Sequence, residues 1–235
     1  MRKRIAMIGD LHGNLPATRA MAEELEKLGP DEIWFLGDAV GKGPDSAATC
    51  DWVRANCQVV IGGNWDYGVG GKEFPNDAYY WDQLGEERLA WLAGLPRETE
   101  LMMSGLRLRI FHGRPVLPIL QGYDGNEKLR EALYREDGDR FDGAIFADSH
   151  RPFFRSLHEG YVANTGSVGN SMGVTRAHGL LLEGDPDADT PTPLYCTILA
   201  VPYDNEAAAE AARRSPGLPR SEAYIREVLT GYYSR

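Results

Sequence analysis

Apolar runs in this chain stop abruptly at short polar signatures, and this habit constrains the fold more than any other feature. Ile5-Ala6-Met7-Ile8 halts at Gly9-Asp10-Leu11-His12, and Ile33-Trp34-Phe35-Leu36 halts at Gly37-Asp38. Val59-Val60-Ile61 stops at Gly62-Gly63-Asn64, Ile110-Phe111 at His112-Gly113, and Ala144-Ile145-Phe146-Ala147 at Asp148-Ser149-His150. Runs this short and apolar read as buried strands that deliver side chains from their carboxyl ends, the edge where open α/β sheets bind ligands. Asp, Asn and His donate oxygen and nitrogen to hard or borderline divalent cations, so the joint pattern predicts a two-metal hydrolytic site.

The segments between these runs fit the same architecture. Arg4 to Gly9 reads as a strand. A helix from Leu15 to Leu28 follows, with Asn14 as N-cap, Pro16 in its first turn, and Ala17, Ala20, Met21, Leu25 and Leu28 at helical spacing up to Gly29-Pro30. Glu32 to Leu36 is a second strand, Pro44 to Asn56 a helix and Gln58 to Ile61 a third strand, which makes a βαβαβ unit and a parallel core. Trp65 to Asp77 is rich in Gly, Asn, Asp and aromatics and reads as a surface loop at the mouth of the site, followed by a helix through Trp91. Glu98 to Met103 and Leu106 to Phe111 flank Ser104-Gly105 as a hairpin, with Arg107 and Arg109 on a wet face. Asn126 to Arg135 reads as a helix, and Gly143 to Ala147, Tyr161 to Asn164 and Leu180 to Glu183 as strands. Leu194 to Val201 reads as an edge or hairpin strand, and two helices lie beyond Asn205. Mixed strand directions with helices at both ends predict two packed sheets covered outside by helices.

A chain of 235 residues with 43% apolar content can bury one sizeable core. The expected division is a single domain over residues 1–203 with a C-terminal helical extension, 204–235, packed on it. Three cysteines, an odd number without a CxxC pair, argue against a disulfide framework. The apolar stretch after Arg2-Lys3-Arg4 is too short for a signal peptide, and no run is long enough to span a membrane. A cytoplasmic setting without a membrane partner is expected. A net charge of −10 and the lack of a Lys/Arg-rich run make long nucleic acid a poor ligand. Small phosphorylated substrates fit, because bound cations reverse the local field. The oligomeric state is not indicated.

Taken one at a time, the signatures leave two readings open. Asp10 and His12, two apart beyond a strand, would point the same way on an extended backbone as metal ligands, or would cap and fill a turn. Asp38 has the same choice. Asn64 offers a carbonyl oxygen to a cation yet is common in turns, and a lone His112 could be a satisfied core histidine. Three of the five histidines sit at strand ends, however, and His150 repeats beside Asp148 the spacing of Asp10 and His12.

This order of motifs resembles the calcineurin-like metallophosphoesterases. Asp10-Leu-His-Gly-Asn14, Gly37-Asp-Ala-Val-Gly-Lys-Gly-Pro44, His112-Gly-Arg-Pro115, His150-Arg-Pro152 and Asn164-Thr-Gly-Ser-Val-Gly169 are similar to its small bacterial, diadenosine-tetraphosphatase-related branch. The likeness spans Ile5 to Glu183. It implies a four-layer α/β/β/α sandwich of two mixed sheets and a hydrolase of phosphomonoesters, phosphodiesters or nucleotide polyphosphates that uses a metal-bridging hydroxide. One cation would be held by Asp10, His12, Asp38 and His150, and a second by Asp38, Asn64, His112 and Asp148. The ions implied are divalent, Mn²⁺ first, with Fe, Zn or Ni as alternatives. Asp38, Asn64 and His150 would be catalytic, and Asp66 would orient a ligand histidine. Asn14, Lys42 and Arg114, close behind ligand positions, and Trp65 read as substrate contacts, although Lys42 stands where relatives often carry an aromatic and the likeness assigns it no role. Thr165-Gly166-Ser167 would line the pocket or form a turn.

Two positions depart from the family pattern. Trp65 stands where many members carry a histidine that protonates the leaving oxygen, and indole cannot act as an acid near neutral pH. Asp148 replaces a neutral imidazole, which raises the anionic ligands to three. These departures keep a rival reading open, a catalytically weak relative that binds one metal and a nucleotide or protein partner. A protein phosphatase is a third possibility.

Overall fold

The computed structural model describes residues 2–234, so Met1 and Arg235, the outermost residues of the two expected units, lie outside it. Along the described chain the strands are β1 (Lys3–Ile8), β2 (Glu32–Leu36), β3 (Val59–Ile61), β4 (Glu98–Met103), β5 (Leu106–Phe111), β6 (Gly143–Phe146), β7 (Pro152–Ser156), β8 (Tyr161–Thr165), β9 (Ala177–Gly184) and β10 (Tyr195–Val201). The helices are α1 (Leu15–Leu28), α2 (Ser46–Asn56), α3 (Asn64–Gly70), α4 (Ala78–Ala93), α5 (Asn126–Leu129), α6 (Asn205–Arg213) and α7 (Ser221–Thr230). One sheet runs β10-β9-β1-β2-β3 and the other β4-β5-β6-β8-β7, both mixed, which is the expected pair of sheets. β1 is the middle strand of the first sheet and β6 of the second, and each has a parallel neighbour, β2 for β1 and β5 and β8 for β6.

Alternation along β1 separates the layers. Ile5 and Met7 pack with Leu36, Ile110, Ile145 and Leu180 between the sheets, whereas Ala6 and Ile8 join Ala17, Met21 and Leu25 of α1 in the core beneath the helices. A third cluster, Phe111, Leu129, Leu133, Phe146 and Val162, fills the outer face of the second sheet. The order is therefore helices, sheet, sheet, helix. Helix α1 is capped as its sequence suggests: the Ala17 N–H donates to Asn14 Oδ1 at 3.1 Å, and Gly29 closes the other end in the left-handed conformation at φ 58°.

Four local expectations are corrected. Residues 65–77 are not a loop: they hold most of α3 and a 3-10 turn, Pro75–Asp77. Asp66 at the third helical position accepts from the Gly63 N–H at 3.0 Å, a capping signature that the glycine-rich composition hides. The helix expected over Asn126 to Arg135 is the single turn α5 followed by a 3-10 turn, Arg130–Leu133. Strand β7, which begins at a proline and lies at a sheet edge, was not anticipated. The hairpin lacks the expected wet face at Arg109, which is 3% exposed and ion-paired to Glu98 at 2.7 Å beneath the Ala132 to Tyr134 segment. Leu194 to Val201 does form the expected edge strand, β10.

Candidate functional site

The carboxyl ends of β1, β2, β5 and β6 meet where the two sheets converge, and they do so on an unusual backbone. Six of the nine non-glycine residues with positive φ among the described residues lie here: Asp10 (54°), His12 (48°), Asp38 (62°), Lys42 (56°), Asp148 (64°) and His150 (59°). Asp10 and His12 thus share a direction through paired left-handed residues, not through the extended backbone that their spacing suggested. Each such residue costs roughly 1–2 kcal/mol. The surrounding hydrogen bonds hold them: Asp10 N–H donates to the Gly37 carbonyl at 2.8 Å and His12 N–H to the Asp38 carbonyl at 3.1 Å.

Nε2 of His12 and Nε2 of His150 approach to 3.2 Å, and Asp10 Oδ1 lies 3.1 Å from the latter and 3.5 Å from the former. On the other side His112 Nε2 lies 3.4 Å from Asp38 Oδ2 and 3.9 Å from Asp10 Oδ1. Two groups able to hold an ion result, Asp10/His12/His150 and Asp10/Asp38/His112, and both are buried. Asp38 Oδ1 accepts the Trp65 N–H at 2.8 Å, so only Oδ2 faces the imidazoles, 3.6 Å from His12 Nε2. Gly63 leaves the room this needs, since a Cβ there would lie 2.2 Å from Asp38 Oδ1 and 2.8 Å from His112 Nε2.

All three ligand-type histidines are aimed by backbone carbonyls. Nδ1 of His12 donates to Val40 O (3.1 Å), Nδ1 of His112 to Leu36 O (2.6 Å) and Nδ1 of His150 to Asn170 O (2.6 Å), which leaves each Nε2 pointing inward. Burial opposes charge on Asp10 and Asp38, but the neighbouring imidazoles outweigh it and hold both carboxyl groups below their usual range, Asp10 well below. Burial likewise opposes the imidazolium of His112, and the Asp38 and Asp10 carboxylates overcome it and raise that group well above the ordinary value. His12 goes the other way, to about 4, through burial and the Lys42 ammonium. The centre holds three buried polar atoms without a hydrogen-bond partner: Asp10 Oδ1, Asn64 Oδ1 and His112 Nε2.

Several expected roles change. Asp148 joins neither ion-holding group. Its carboxylate is clamped by Arg114, with Nε to Oδ2 at 2.9 Å, Nη2 to Oδ1 at 2.6 Å and the Arg114 N–H to Oδ2 at 3.0 Å, while Oδ1 stays 4.0 Å from His112 Nε2. The third anionic charge expected from Asp148 is therefore matched by a guanidinium, and Arg114 holds that carboxylate from the wall of the cavity. Asp66 does not touch a histidine: it accepts the N–H groups of Asp38 (2.7 Å), Ala39 (2.9 Å) and Gly63 (3.0 Å), bracing two ligand-bearing loops. Burial, then the Asp38 carboxylate, pushes Asp66 up to about 7. Asn14 is fully buried as helix cap and as donor to the Gly169 carbonyl at 2.7 Å, so both ends of its amide are engaged away from the cavity. Thr165 to Ser167 also belongs to the scaffold, with Ser167 Oγ donating to the Asp10 carbonyl at 2.8 Å.

A cavity of about 990 Å³ opens over the centre, lined by Lys42, Asn64, Trp65, Tyr80, Arg114 and His150 and, farther out, by Phe74, Tyr123, Arg220 and Tyr233. Trp65 stands edge-on to His12, with ring centroids 5.8 Å apart. Gly41, at φ 83°, admits the indole: a Cβ there would come to 2.1 Å of the ring. The polar residue that sequence reading missed is Asn170, one position beyond the quoted Asn164–Gly169 motif. It is fully buried, and its Oδ1 accepts from Lys42 Nζ at 3.0 Å while Lys42 Nζ lies 3.2 Å from His150 Nε2. Among the described residues no helix is long and apolar enough to cross a membrane.

Known proteins share this arrangement of sheets. The chain is similar to a metallophosphoesterase from Sphaerobacter thermophilus, with TM-score 0.75, 26% identity and 98% and 99% of the two chains covered. It also resembles a hypothetical protein from Pyrococcus horikoshii OT3 at TM-score 0.75, 20% identity and the same coverage, a likeness of fold. An uncharacterized protein of Methanocaldococcus jannaschii is 31% identical over 204 residues, 75% of this chain and 81% of that one. A symmetrical bis(5'-nucleosyl)-tetraphosphatase of Erwinia tasmaniensis matches a shorter stretch, 36% identical over 64 residues, 26% of this chain and 23% of that protein. The description "Calcineurin-like phosphoesterase superfamily domain" matches residues 3–185, the span that carries every one of the strand-end signatures. With that match across most of its length, the chain belongs to the calcineurin-like phosphoesterase superfamily.

Proposed function

We propose that this chain is a hydrolase of small phosphoesters that works with two divalent cations, one held by Asp10, His12, Asp38 and His150 and the other by Asp38, Asn64 and His112. The observation that carries the reading is the pair of buried groups Asp10/His12/His150 and Asp10/Asp38/His112, together with Asp10 Oδ1, Asn64 Oδ1 and His112 Nε2 left buried without a hydrogen-bond partner. Leaving such an atom unsatisfied costs about 1–3 kcal/mol, and cations relieve all three at once. When bound, the cations supply an activated water and neutralise charge on the phosphoryl oxygens. The evenly mixed oxygen and imidazole set suits a divalent ion of this class, Mn²⁺ first, with Fe, Zn or Ni as alternatives.

The chain's own side chains do the rest. Asp38, pinned through Oδ1 by the Trp65 N–H, presents Oδ2 between His12 and His112. Lys42 directs its ammonium at the His150 end of the centre, where it contacts a phosphoryl oxygen of the substrate. Trp65 walls the cavity and donates no proton to the leaving oxygen, so substrates whose leaving groups need little protonation are favoured. Aryl phosphoesters and phosphoanhydrides, nucleotide polyphosphates among them, meet that condition, and the aromatic lining of the cavity suits a planar leaving group. The short match to a bis(5'-nucleosyl)-tetraphosphatase supports the same class.

A second reading, a weakly catalytic relative that binds a single cation together with a nucleotide or protein partner, is favoured by the Arg114 clamp on Asp148, which withdraws one expected donor. Metal analysis of the purified protein, coupled to a hydrolysis screen in added Mn²⁺, separates the two. Two equivalents of metal with turnover of aryl esters or anhydrides well above alkyl esters is the expected result. One equivalent, no turnover and tight nucleotide binding supports the second reading, and equal turnover of alkyl and aryl esters removes the leaving-group preference.

A further inference from the structure

The C-terminal helix reaches the phosphate side of the centre through one amide. Asn170 makes four contacts from a fully buried position. Its N–H donates to Ser167 Oγ at 2.8 Å, and its carbonyl accepts Nδ1–H of His150 at 2.6 Å. Its Oδ1 accepts from Lys42 Nζ at 3.0 Å, and its Nδ2 donates to Glu227 Oε2 at 3.1 Å. Glu227 lies on α7, is 0% exposed, and takes the Ser234 N–H on its other oxygen at 3.1 Å. Helix α7 lies wholly beyond residues 3–185, the span matched by the family.

We infer that Glu227 is a positioning residue that acts through Asn170 to hold the Lys42 ammonium where it meets a phosphoryl oxygen. An amide has one acceptor end and one donor end, so a carboxylate on the donor end fixes the acceptor end toward the ammonium. The two contacts are charge-assisted, and each makes the other stronger. A buried carboxylate is costly unless it is paired, which argues for more than an anchor for the last residues of the chain. Lys42 itself takes a left-handed backbone, φ 56°, so its side chain is held at the centre by contacts that outweigh a local strain. The inference rests on the placement of Lys42 at substrate phosphate proposed above, and it adds that a segment outside the family match sets how well that lysine works.

A double-mutant cycle on orthophosphate binding tests it, with the full chain loaded with Mn²⁺ and binding measured by titration calorimetry. Lys42→Met is expected to weaken orthophosphate binding about 20-fold, and Glu227→Gln about 5-fold in the otherwise unaltered chain, in the range of charge-assisted hydrogen bonds. In the Lys42→Met background the Glu227→Gln effect should vanish. An equal loss in both backgrounds would show that Glu227 only braces the fold, and no loss in either, or no orthophosphate binding by the unaltered chain, overturns the inference as well. Should Glu227→Gln not fold, Asn170→Ala enters the same cycle, since it cuts the link and keeps the backbone carbonyl on His150. Orthophosphate binding needs no turnover, so a chain that fails to hydrolyse phosphoesters would refute the hydrolase reading and leave the cycle readable.

Discussion

Two turns of this molecule have nearly the same local design and opposite fates. Asp10-Leu11-His12 follows the middle strand of one sheet, and Asp148-Ser149-His150 follows the middle strand of the other. Both place an aspartate and a histidine in the left-handed region, at 54° and 48° in the first and 64° and 59° in the second. In both, the histidine turns Nε2 into the centre because a backbone carbonyl holds Nδ1. The aspartates differ entirely: Asp10 Oδ1 is buried with no hydrogen-bond donor, whereas both Asp148 oxygens are held by Arg114. Local sequence and backbone set where each carboxylate points. A neighbour 34 residues away in sequence decides what the second one can do.

The sharpest way to break this comparison is to neutralise each aspartate in turn. Asp10→Asn removes a charge that belongs to both ion-holding groups. It should lower kcat/KM by roughly 100-fold or more and reduce bound metal below two equivalents. Asp148→Asn should cost roughly 10-fold, typical of a residue that supports the centre from outside. Equal losses, read by steady-state kinetics and metal analysis of the two variants, would show that Asp148 is a ligand after all and that the clamp is released when metal binds.

A smaller change sharpens the comparison from the other side. Asp148→His replaces the clamped carboxylate, 4.0 Å from His112 Nε2, with an imidazole that Arg114 cannot bind and that, on the two-cation proposal, would become a fourth donor to the second ion. We expect second-ion affinity to rise about 10-fold by calorimetric titration, on the scale of one added ligand's support. An unchanged affinity would place position 148 outside the centre regardless of its chemistry.

The strand-end signatures made the candidate ligand residues legible because a buried run that ends in a carboxylate or imidazole has few other uses. Asp10, His12, Asp38, His112 and His150 come together in two buried groups that could hold an ion, and Asn64 lines the cavity over them. What the pattern could not reveal was pairing through space. Arg114 and Asp148, Asp66 and three backbone N–H groups, and Asn170 with Lys42 and Glu227 meet only after the two sheets close. The same limit explains Asn14, whose helix-cap signal was visible but whose burial was not. Period-2 alternation suggested a wet Arg109, and only the covering Ala132 to Tyr134 segment shows it buried. Composition hid α3, because a glycine-rich stretch can still be a helix when Asp66 caps it.

The segment after β8 ties the two turns together, and its brace is titratable. Val168 and Gly169 donate to the carbonyls of Gly9 and Asp10, while Met172 donates to the carbonyl of His150 at 3.0 Å. Beneath this segment Ser171 Oγ meets both the Ser167 carbonyl and Nδ1 of His178, at 2.9 Å in the second case. Burial first, then Arg176, lowers His178 to about 4, so this imidazole is neutral in the fold where an unfolded chain would bind a proton. Between its unfolded value near 6.5 and about 4 the unfolded state therefore holds more protons, and stability falls as pH falls through that window. Above pH 6.5 or so the contribution is complete. From pH 7 to pH 5 the share due to His178 is about 1 kcal/mol, after allowance for solvent screening. Urea unfolding of the unaltered chain and of His178→Asn at both pH values measures it, because the variant should lose correspondingly less stability on acidification. An equal loss in the two proteins would mean that the acid sensitivity of the brace lies elsewhere.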